Sequence, residues 1–357
     1  MKMRYLISFI IVHFLFITAS CSQNNPDTQP KSSLQREQEE IEARWKRSQR
    51  PEAKAEREML DNLKEAMDEY YKSKDETSRK KYESLYKQAL KQPKPSAAIY
   101  SACATAANLL DQPKQAIKLL KKAIAEYPDE RVWGPVIPLK VSGYYRIGSI
   151  ASRMNDPEEA TEAYETVIRN CKKIESTQLY QIFSLMHLVD IASNQLKDKK
   201  LAVKRLKTLQ EIIRSVDKTK QQSDTQDDLT FIRDWISYEQ ELLDKGKAKI
   251  PQKSDLSKEV EALPYMLAIL HANLSQPGTP ELELNAKSDR YSIDSILNKF
   301  AMAFLYMHDI SYKRQLGDNP PKVEKYLQDI IKTDSFFKPY AEAVLDLLQE
   351  QKAEYQK

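Results

Sequence analysis

The stretch that decides the fold is "SAAIYSACATAANLLDQPKQAIKLLKKAIAEYPDE", residues 96–130. Small and apolar residues recur in it at helical spacing on both sides of "LLDQP", and Pro128 stands near its end. Alanines at this spacing let two helix backbones approach closely, and the "LLDQP" segment has the composition of a turn. The stretch therefore predicts two helices joined by a tight turn.

The same positions resemble the tetratricopeptide repeat, a helix–turn–helix unit of about 34 residues with small residues at its eighth and twentieth positions. Counted from Ala97, Ala104 is the eighth residue, Ala116 the twentieth and Pro128 the thirty-second. The family also has proline near the end of its unit. The resemblance implies a right-handed α-solenoid, in which such units stack side by side.

The pattern recurs along the chain, which supports the resemblance. A second unit begins at Val141 and places Gly148 and Ala160 at the two small positions. A third unit begins at Phe183, where Asp190 replaces the small eighth residue, so we interpret it as a degraded copy. A motif that recurs in this way predicts a repeat fold far better than it predicts a function.

The spacing of the units is irregular. The alanines at the twentieth position, Ala116, Ala160 and Ala202, are 44 and 42 residues apart, so each connection is longer than in the family. Residues 78–94 carry the trace of an earlier unit, and we assign residues 58–215 to the repeat array. Because the 357 residues include only six glycines and many strong helix formers, we predict an all-α protein.

The carboxyl half contains a candidate boundary. Two polar stretches, residues 217–228 and 244–255, flank one amphipathic helix, and we treat residues 216–255 as a separate segment. Residues 256–357 keep helical spacing of their apolar residues and are predicted to form a C-terminal helical region. Within that region residues 297–334 resemble one more degenerate repeat, and the last helix has the pattern of a helix that caps the array.

The amino terminus has the layout of a secretory signal. Lys2 and Arg4 precede an apolar run, residues 5–19, which ends in small residues before Cys21. This run is shorter than the roughly 20 residues that a membrane-spanning helix needs. One interpretation is therefore an ordinary cleaved signal peptide followed by an incidental cysteine.

The four residues "TASC" that end at Cys21 resemble the lipobox of bacterial lipoproteins, whose cysteine is acylated and becomes the new amino terminus. Thr18 departs from that family, which usually has leucine, valine or isoleucine there. The resemblance implies a signal peptide at residues 1–20 and a lipidated Cys21, and the polar composition that follows predicts a flexible tether over residues 21–57. By resemblance to lipoproteins of diderm bacteria, Ser22 after the cysteine, rather than aspartate, implies delivery to the outer membrane, with the protein facing the periplasm.

The charge of the mature chain argues against nucleic acid as a partner. Loss of Lys2 and Arg4 with the signal lowers the formal net charge from +4 to +2, which leaves no broad basic field. We therefore expect contact with a membrane through the lipid on Cys21 and contact with a protein partner, and no binding of nucleic acid.

The sequence lacks the motifs of common catalytic and metal sites. The histidines after the signal, His187, His271 and His308, are far from one another and from cysteine in the sequence, whereas a zinc site needs clustered ligands. The chain has no glycine-rich phosphate loop, no G-x-S-x-G and no dinucleotide fingerprint. We therefore expect a non-enzymatic protein without cofactor or metal. Cys103 and Cys171 could form a disulfide, but we expect two small buried residues on packed helices.

The resemblance also implies where a partner binds, because the first helices of such repeats line a concave groove. The family's groove positions correspond to Ser101, Thr105, Asn108, Leu109, Tyr145, Ser149, Ser152, Arg153, His187, Ile191, Asn194 and Gln195. Among them we predict Asn108, Tyr145, Arg153, His187 and Asn194 as binding residues. Tyr145 and Arg153 are the predicted anchors, since tyrosine and arginine dominate interface energetics. Alternatively, these side chains only solvate the groove.

These features predict a lipid-anchored, non-enzymatic scaffold that binds an unidentified protein partner at the periplasmic face of the outer membrane. Its anchor and repeats together resemble the repeat lipoprotein of the β-barrel assembly machine. One alternative is a substrate-binding lipoprotein of an outer-membrane glycan uptake system, although such proteins present aromatic platforms and Trp45, Trp133 and Trp235 are scattered here. Another alternative is an activator of a cell-envelope enzyme.

Overall fold

A computed structural model describes residues 51–130, 137–171, 178–219, 226–252, 279–287, 292–308, 320–333 and 335–355. The described helices are α1 (Pro51–Ser73), α2 (Glu76–Ala89), α3 (Ala97–Leu109), α4 (Pro113–Glu126), α5 (Leu139–Arg153), α6 (Pro157–Cys171), α7 (Gln178–Asp190), a π-helix (Ile191–Gln195), α8 (Lys199–Thr219), α9 (Gln226–Lys245), α10 (Thr279–Ala286), α11 (Ile293–His308), α12 (Pro320–Ile331) and α13 (Lys338–Tyr355). All regular secondary structure within these ranges is helical, so the all-α prediction is confirmed for them. The predicted signal peptide, Cys21 and most of the predicted tether lie outside the described residues.

The chain divides into two compact units, Met1–Arg57 and Glu58–Lys357. Of the first unit, only residues 51–57 at the start of α1 belong to the described part of the chain. No helix within the described ranges has both the length and the apolar character needed to cross a bilayer.

Each of the first four helix pairs turns through a residue with a left-handed backbone. These residues are Lys74, Asp111, Asn155 and Lys197, with φ between 53° and 62°. In three of the pairs the next residue is an aspartate whose carboxylate accepts a hydrogen bond from a backbone N–H in the first turn of the following helix. These aspartates are Asp75, Asp156 and Asp198. Because positive φ is uncommon outside glycine, the shared turn marks α1–α2, α3–α4, α5–α6 and α7–α8 as copies of one unit.

The α7–α8 pair has one residue more before its turn than the two preceding pairs have. In α3–α4 a backbone bond runs from Gln112 N to Ala107 O at 2.8 Å, and the equivalent bond in α5–α6 spans the same five residues at 3.0 Å. In α7–α8 the corresponding bond runs from Asp198 N to Ala192 O at 2.8 Å and spans six residues. The π-helix between α7 and α8 accommodates the additional residue.

This additional residue shifts the register of the third predicted unit. Ala104 and Gly148 each lie seven residues before the left-handed residue of their turn. Because the π-helix adds one residue, the equivalent position in α7 lies eight residues before Lys197 and is occupied by Val189. Ala104, Gly148 and Val189 are all buried. The sequence count put Asp190 at this eighth position and is therefore wrong by one residue.

A glycine in α5 permits close packing of α6. A methyl group on Gly148 would lie 2.8 Å from ring atoms of Tyr164, which is a fully buried residue of α6. This distance is shorter than side chains tolerate, so the ring occupies the space that a larger residue would need. The contact explains why the second unit has glycine where the first has alanine.

The first helices α3, α5 and α7 are buried on nearly all sides, whereas α1 and the second helices bury one face. In α5, 12 of 15 residues are buried, but in α6 only five of 15 are buried. Helix α3 contains no charged residue and is likewise enclosed. The additional cover comes from the carboxyl half of the chain, since α10 packs against α3 and α11 packs against α7. The C-terminal helices therefore lie on the array itself.

The remaining C-terminal helices continue the same core. Helix α11 contacts α12 and α13, and α13 joins α9 through an aromatic cluster. In this cluster the ring of Phe231 lies 5.3 Å from that of Phe336 and 5.0 Å from that of Tyr340, between ring centroids. The buried apolar residues from Leu63 to Leu348 form one continuous cluster.

Candidate partner-binding surface

The five residues predicted to bind a partner differ widely in exposure. Tyr145 in α5 is 0% exposed, and Asn108 in α3 and His187 in α7 are each 2% exposed. Arg153 at the end of α5 is half-buried, and Asn194 in the π-helix is exposed. In this conformation only Arg153 and Asn194 are positioned to meet another molecule without rearrangement.

Tyr145 belongs to a buried aromatic cluster. Its hydroxyl lies 3.1 Å from Nε2 of His187, and its ring meets the ring of Tyr180 edge-on at 5.3 Å between centroids. The ring of Tyr164 stacks on the ring of His187 at 4.7 Å. Burial, with the nearby Tyr164 and Asp294 as smaller contributions, raises the pKa of Tyr145 well above its usual value. The predicted anchor Tyr145 is thus placed in the core of the protein.

Two arginines of α5 bind the polar lining of α3. Arg153 Nη2 donates to the side-chain oxygen of Asn108, which brings two of the predicted residues together. About two helical turns earlier in α5, Arg146 donates to Ser101 Oγ at 2.8 Å and to Thr105 Oγ1 at 2.9 Å. Arg146 was not predicted as a site residue, although its seven-residue spacing from Arg153 places both on one face of α5.

Between these two arginines on α5, Ser149 contacts the carboxyl half of the chain. Its hydroxyl donates to Asp294 in the first turn of α11, at 3.0 Å from Oδ1 and 3.1 Å from Oδ2. Asp294 is 4% exposed, and Asn298 and Lys299 in the same helix are also buried. The lining that the sequence assigned to a partner is therefore covered at this point by α11.

Two carboxylates, Asp190 and Glu239, lie near each other, and Asp190 contacts the exposed Asn194. Asn194 Nδ2 donates to Asp190 Oδ1 at 2.7 Å, and Asp190 is buried. Burial and the neighbouring Asp190 raise the pKa of Glu239 in α9 to about 8. Glu239 is half-buried, so its carboxyl group has lost part of its hydration and lies near the negative charge of Asp190. Sequence periodicity contains no signal for this pair, because its members lie in different parts of the chain.

An open groove lies beside the turns of α3–α4 and α5–α6. Its volume is about 780 Å³. Its lining comprises Tyr86, Lys87, Leu90, residues 111–115 and Met154. We call it the turn groove. The hydroxyl of Tyr86 donates to Gln112 Oε1 at 2.7 Å across its floor, while Lys87 and Asp111 are exposed and Leu90 and Met154 are half-buried. Accessible apolar and charged side chains therefore occur together in this groove.

The described residues contribute little that suggests metal or glycan chemistry. Within the described ranges no group of three or more histidine, cysteine, aspartate or glutamate side chains is arranged to hold a metal ion. Trp235 is buried at 1% exposure and cannot serve as an aromatic platform, and Trp45 and Trp133 lie outside the described residues. Cys103 and Cys171 are both buried and are not joined by a disulfide.

Repeat counting identified the face on which Tyr145 and Arg153 lie, but it did not identify α11 as the element that covers this face. The sequence does indicate that this face is covered, because α3 and α7 have almost no charged residues that could face water. Their sequences are "AAIYSACATAANL" and "QLYQIFSLMHLVD". Comparison with protein-family models and with curated proteins gave no match to this chain.

Proposed function

We propose that the protein is a lipid-anchored, non-enzymatic scaffold that binds a protein partner at the periplasmic face of the outer membrane. In this proposal the pairs α1–α8 are tetratricopeptide-like repeats wound as a right-handed solenoid. The supporting observation is the left-handed turn at Lys74, Asp111, Asn155 and Lys197. A row of equivalent turns offers the extended, rigid surface that repeat proteins use for binding.

We assign the partner to the turn groove and to the neighbouring Arg153. Tyr145 and His187, which the sequence suggested as contacts, are buried beneath other parts of the chain. In the turn groove, by contrast, Leu90 and Met154 offer apolar surface beside exposed charges. An apolar centre with a polar rim is the usual composition of a protein interface. The proposed partner inserts an apolar side chain between Leu90 and Met154.

The test is capture of the partner from cross-linked membranes with groove and control variants. Met154→Arg places a charge in the turn groove, whereas Leu242→Arg places the same charge on an exposed leucine of α9, 37% exposed. We expect wild type and Leu242→Arg to recover the same protein and Met154→Arg to lose it. Equal recovery by all three would refute the groove as the binding surface.

The anchor has a separate test. Replacing Cys21 by alanine removes the acylated thiol that the proposal requires, so the Cys21→Ala protein should leave the membrane fraction. Membrane retention equal to that of wild type would contradict lipid attachment. A glycan-binding lipoprotein makes a different prediction, namely no stable protein partner together with thermal stabilisation by glycans.

A further inference from the structure

One buried carboxylate in α10 is surrounded by three lysines. Glu283 is 1% exposed and accepts hydrogen bonds from the hydroxyl of Tyr71 in α1 and from Lys322 Nζ in α12. Its Oε1 also lies 2.8 Å from Lys287 Nζ and 4.0 Å from Lys74 Nζ. Side chains from three distant segments thus converge on a single negative charge.

Positive charge exceeds negative charge in this cluster. Three ammonium groups share the carboxylate of Glu283, and within the described residues these lysines form no ion pair with another acid. Burial lowers the pKa of Lys74, Lys287 and Lys322, and repulsion between neighbouring ammonium groups lowers it further for Lys74 and Lys322. An added anion would relieve this repulsion.

The ammonium groups remain accessible although the carboxylate is not. The side chains of Lys74, Lys287 and Lys322 are 52%, 45% and 30% exposed, whereas that of Glu283 is 2% exposed. Lys74 occupies the left-handed position of the α1–α2 turn, and its Nζ lies 5.3 Å from the ring centroid of Tyr71. The lysines therefore present donors to solvent on the outer side of the buried carboxylate.

We propose that Lys74, Lys287 and Lys322 bind a phosphate group, either inorganic phosphate or the phosphate of a lipid headgroup. Each ammonium has three N–H donors and acts as a compact charge that suits phosphate oxygens. A phosphate monoester carries about −1.5 to −2 charges near pH 7 and so matches the excess of two positive charges, whereas a single carboxylate does not. This site is independent of the proposed partner surface.

The first test uses inorganic phosphate as the probe. The full chain with Cys21→Ala is titrated with sodium phosphate by calorimetry, and its melting temperature is compared in phosphate and in sodium chloride of equal ionic strength. We expect saturable binding and a higher melting temperature in phosphate. Absence of both effects would exclude a site for free phosphate, and the vesicle test below then decides whether the proposal stands.

Variants then locate the site. Lys287→Gln with Lys322→Gln should weaken phosphate binding at least tenfold. The matched control is Lys352→Gln, which removes a lysine of similar exposure that pairs with Glu324 in α12, and it should bind as wild type does. Glu283→Gln should tighten phosphate binding, because a negative charge beside the phosphate is lost. Equal phosphate affinity in wild type and the double variant would overturn the assignment.

Vesicles separate the two sources of phosphate. The Cys21→Ala protein is mixed with phosphatidylcholine vesicles that contain or lack phosphatidic acid, whose headgroup is a phosphate monoester. Binding to vesicles that contain phosphatidic acid but not to those that lack it indicates a headgroup site, provided that the double lysine variant loses this binding. Phosphate binding without vesicle binding indicates a site for free phosphate, and failure of both overturns the proposal.

Discussion

Ser149 of α5 donates its hydroxyl hydrogen to both carboxylate oxygens of Asp294 in α11, at 3.0 and 3.1 Å, although 145 residues separate the two. The bond joins the middle of the repeat array to the first turn of a C-terminal helix. Asp294 also stands where the positive end of the α11 dipole favours a negative charge. This contact helps to explain why the face of α5 that carries Arg146 and Arg153 is not an open groove.

Loss of the Ser149–Asp294 contact should destabilise the fold. Asp294→Ala leaves a buried hydroxyl without this acceptor, and we expect the free energy of unfolding to fall by about 1–3 kcal/mol. In a double-mutant cycle the Ser149→Ala and Asp294→Ala effects should sum to more than the effect of the double variant. Urea denaturation of the Cys21→Ala protein measures all three. Ser237→Ala, at an exposed serine of α9, is the control, and strict additivity of the cycle would contradict the contact.

Two glycines of α5 should respond differently to alanine. At Gly148 the new methyl group meets the buried ring of Tyr164 at 2.8 Å, and that ring is held by stacking on His187. At Gly143 it meets the end of the Ile124 side chain, which can rotate away. We expect Gly148→Ala to lower the free energy of unfolding by about 1–3 kcal/mol and Gly143→Ala to lower it by less. Equal melting temperatures of the two variants would argue against close packing at Gly148.

The sequence predicted the all-α class because its evidence is local: few glycines, many helix formers and alanines at helical spacing. The closed groove depends on Ser149 and Asp294, and no periodicity within either segment reports that the two meet. Repeat counting placed Tyr145 on the inner face of α5, but its ring is enclosed by Tyr164 and Tyr180, and the neighbouring Ser149 is covered by α11. Repeat counting did not detect the additional residue of the π-helix. The family's eighth and twentieth positions are 12 residues apart, and Asp190 and Ala202 happen to have that same spacing.

The pKa of Glu239 predicts a specific dependence of stability on pH. Its folded-state pKa of about 8 exceeds the ordinary value of 4.5, because burial and Asp190 disfavour the charged form. The folded state therefore binds this proton more tightly than the unfolded state does. The stabilising contribution is fully present below about pH 4.5 and is lost as the pH rises through about 8.

Glu239→Gln tests this dependence, because glutamine stays neutral. At pH 9 we expect Glu239→Gln to be more stable than wild type by at least about 1.4 kcal/mol, the value of one pKa unit, and at pH 5 to differ little. Urea denaturation at the two pH values gives the comparison. Glu241→Gln, on a half-buried glutamate that pairs with Lys245 at the surface, should not reproduce the pattern. A wild-type advantage at pH 9 would contradict the burial of charge at Glu239.

The two buried cysteines should resist thiol reagents while the protein is folded. Burial raises the pKa of Cys103 to about 12, so almost no thiolate is present at pH 8, and Cys171 is also enclosed. In the Cys21→Ala protein an aromatic disulfide reagent should label neither cysteine within minutes at pH 8 and should label both in denaturing urea. If urea exposes no reactive thiol unless a reductant is added, the two cysteines are bonded to each other and the structure is contradicted at this point. Rapid labelling of the folded protein would show instead that α3 opens readily at Cys103, which the close contact of its sulfur with Tyr86 O at 3.5 Å argues against.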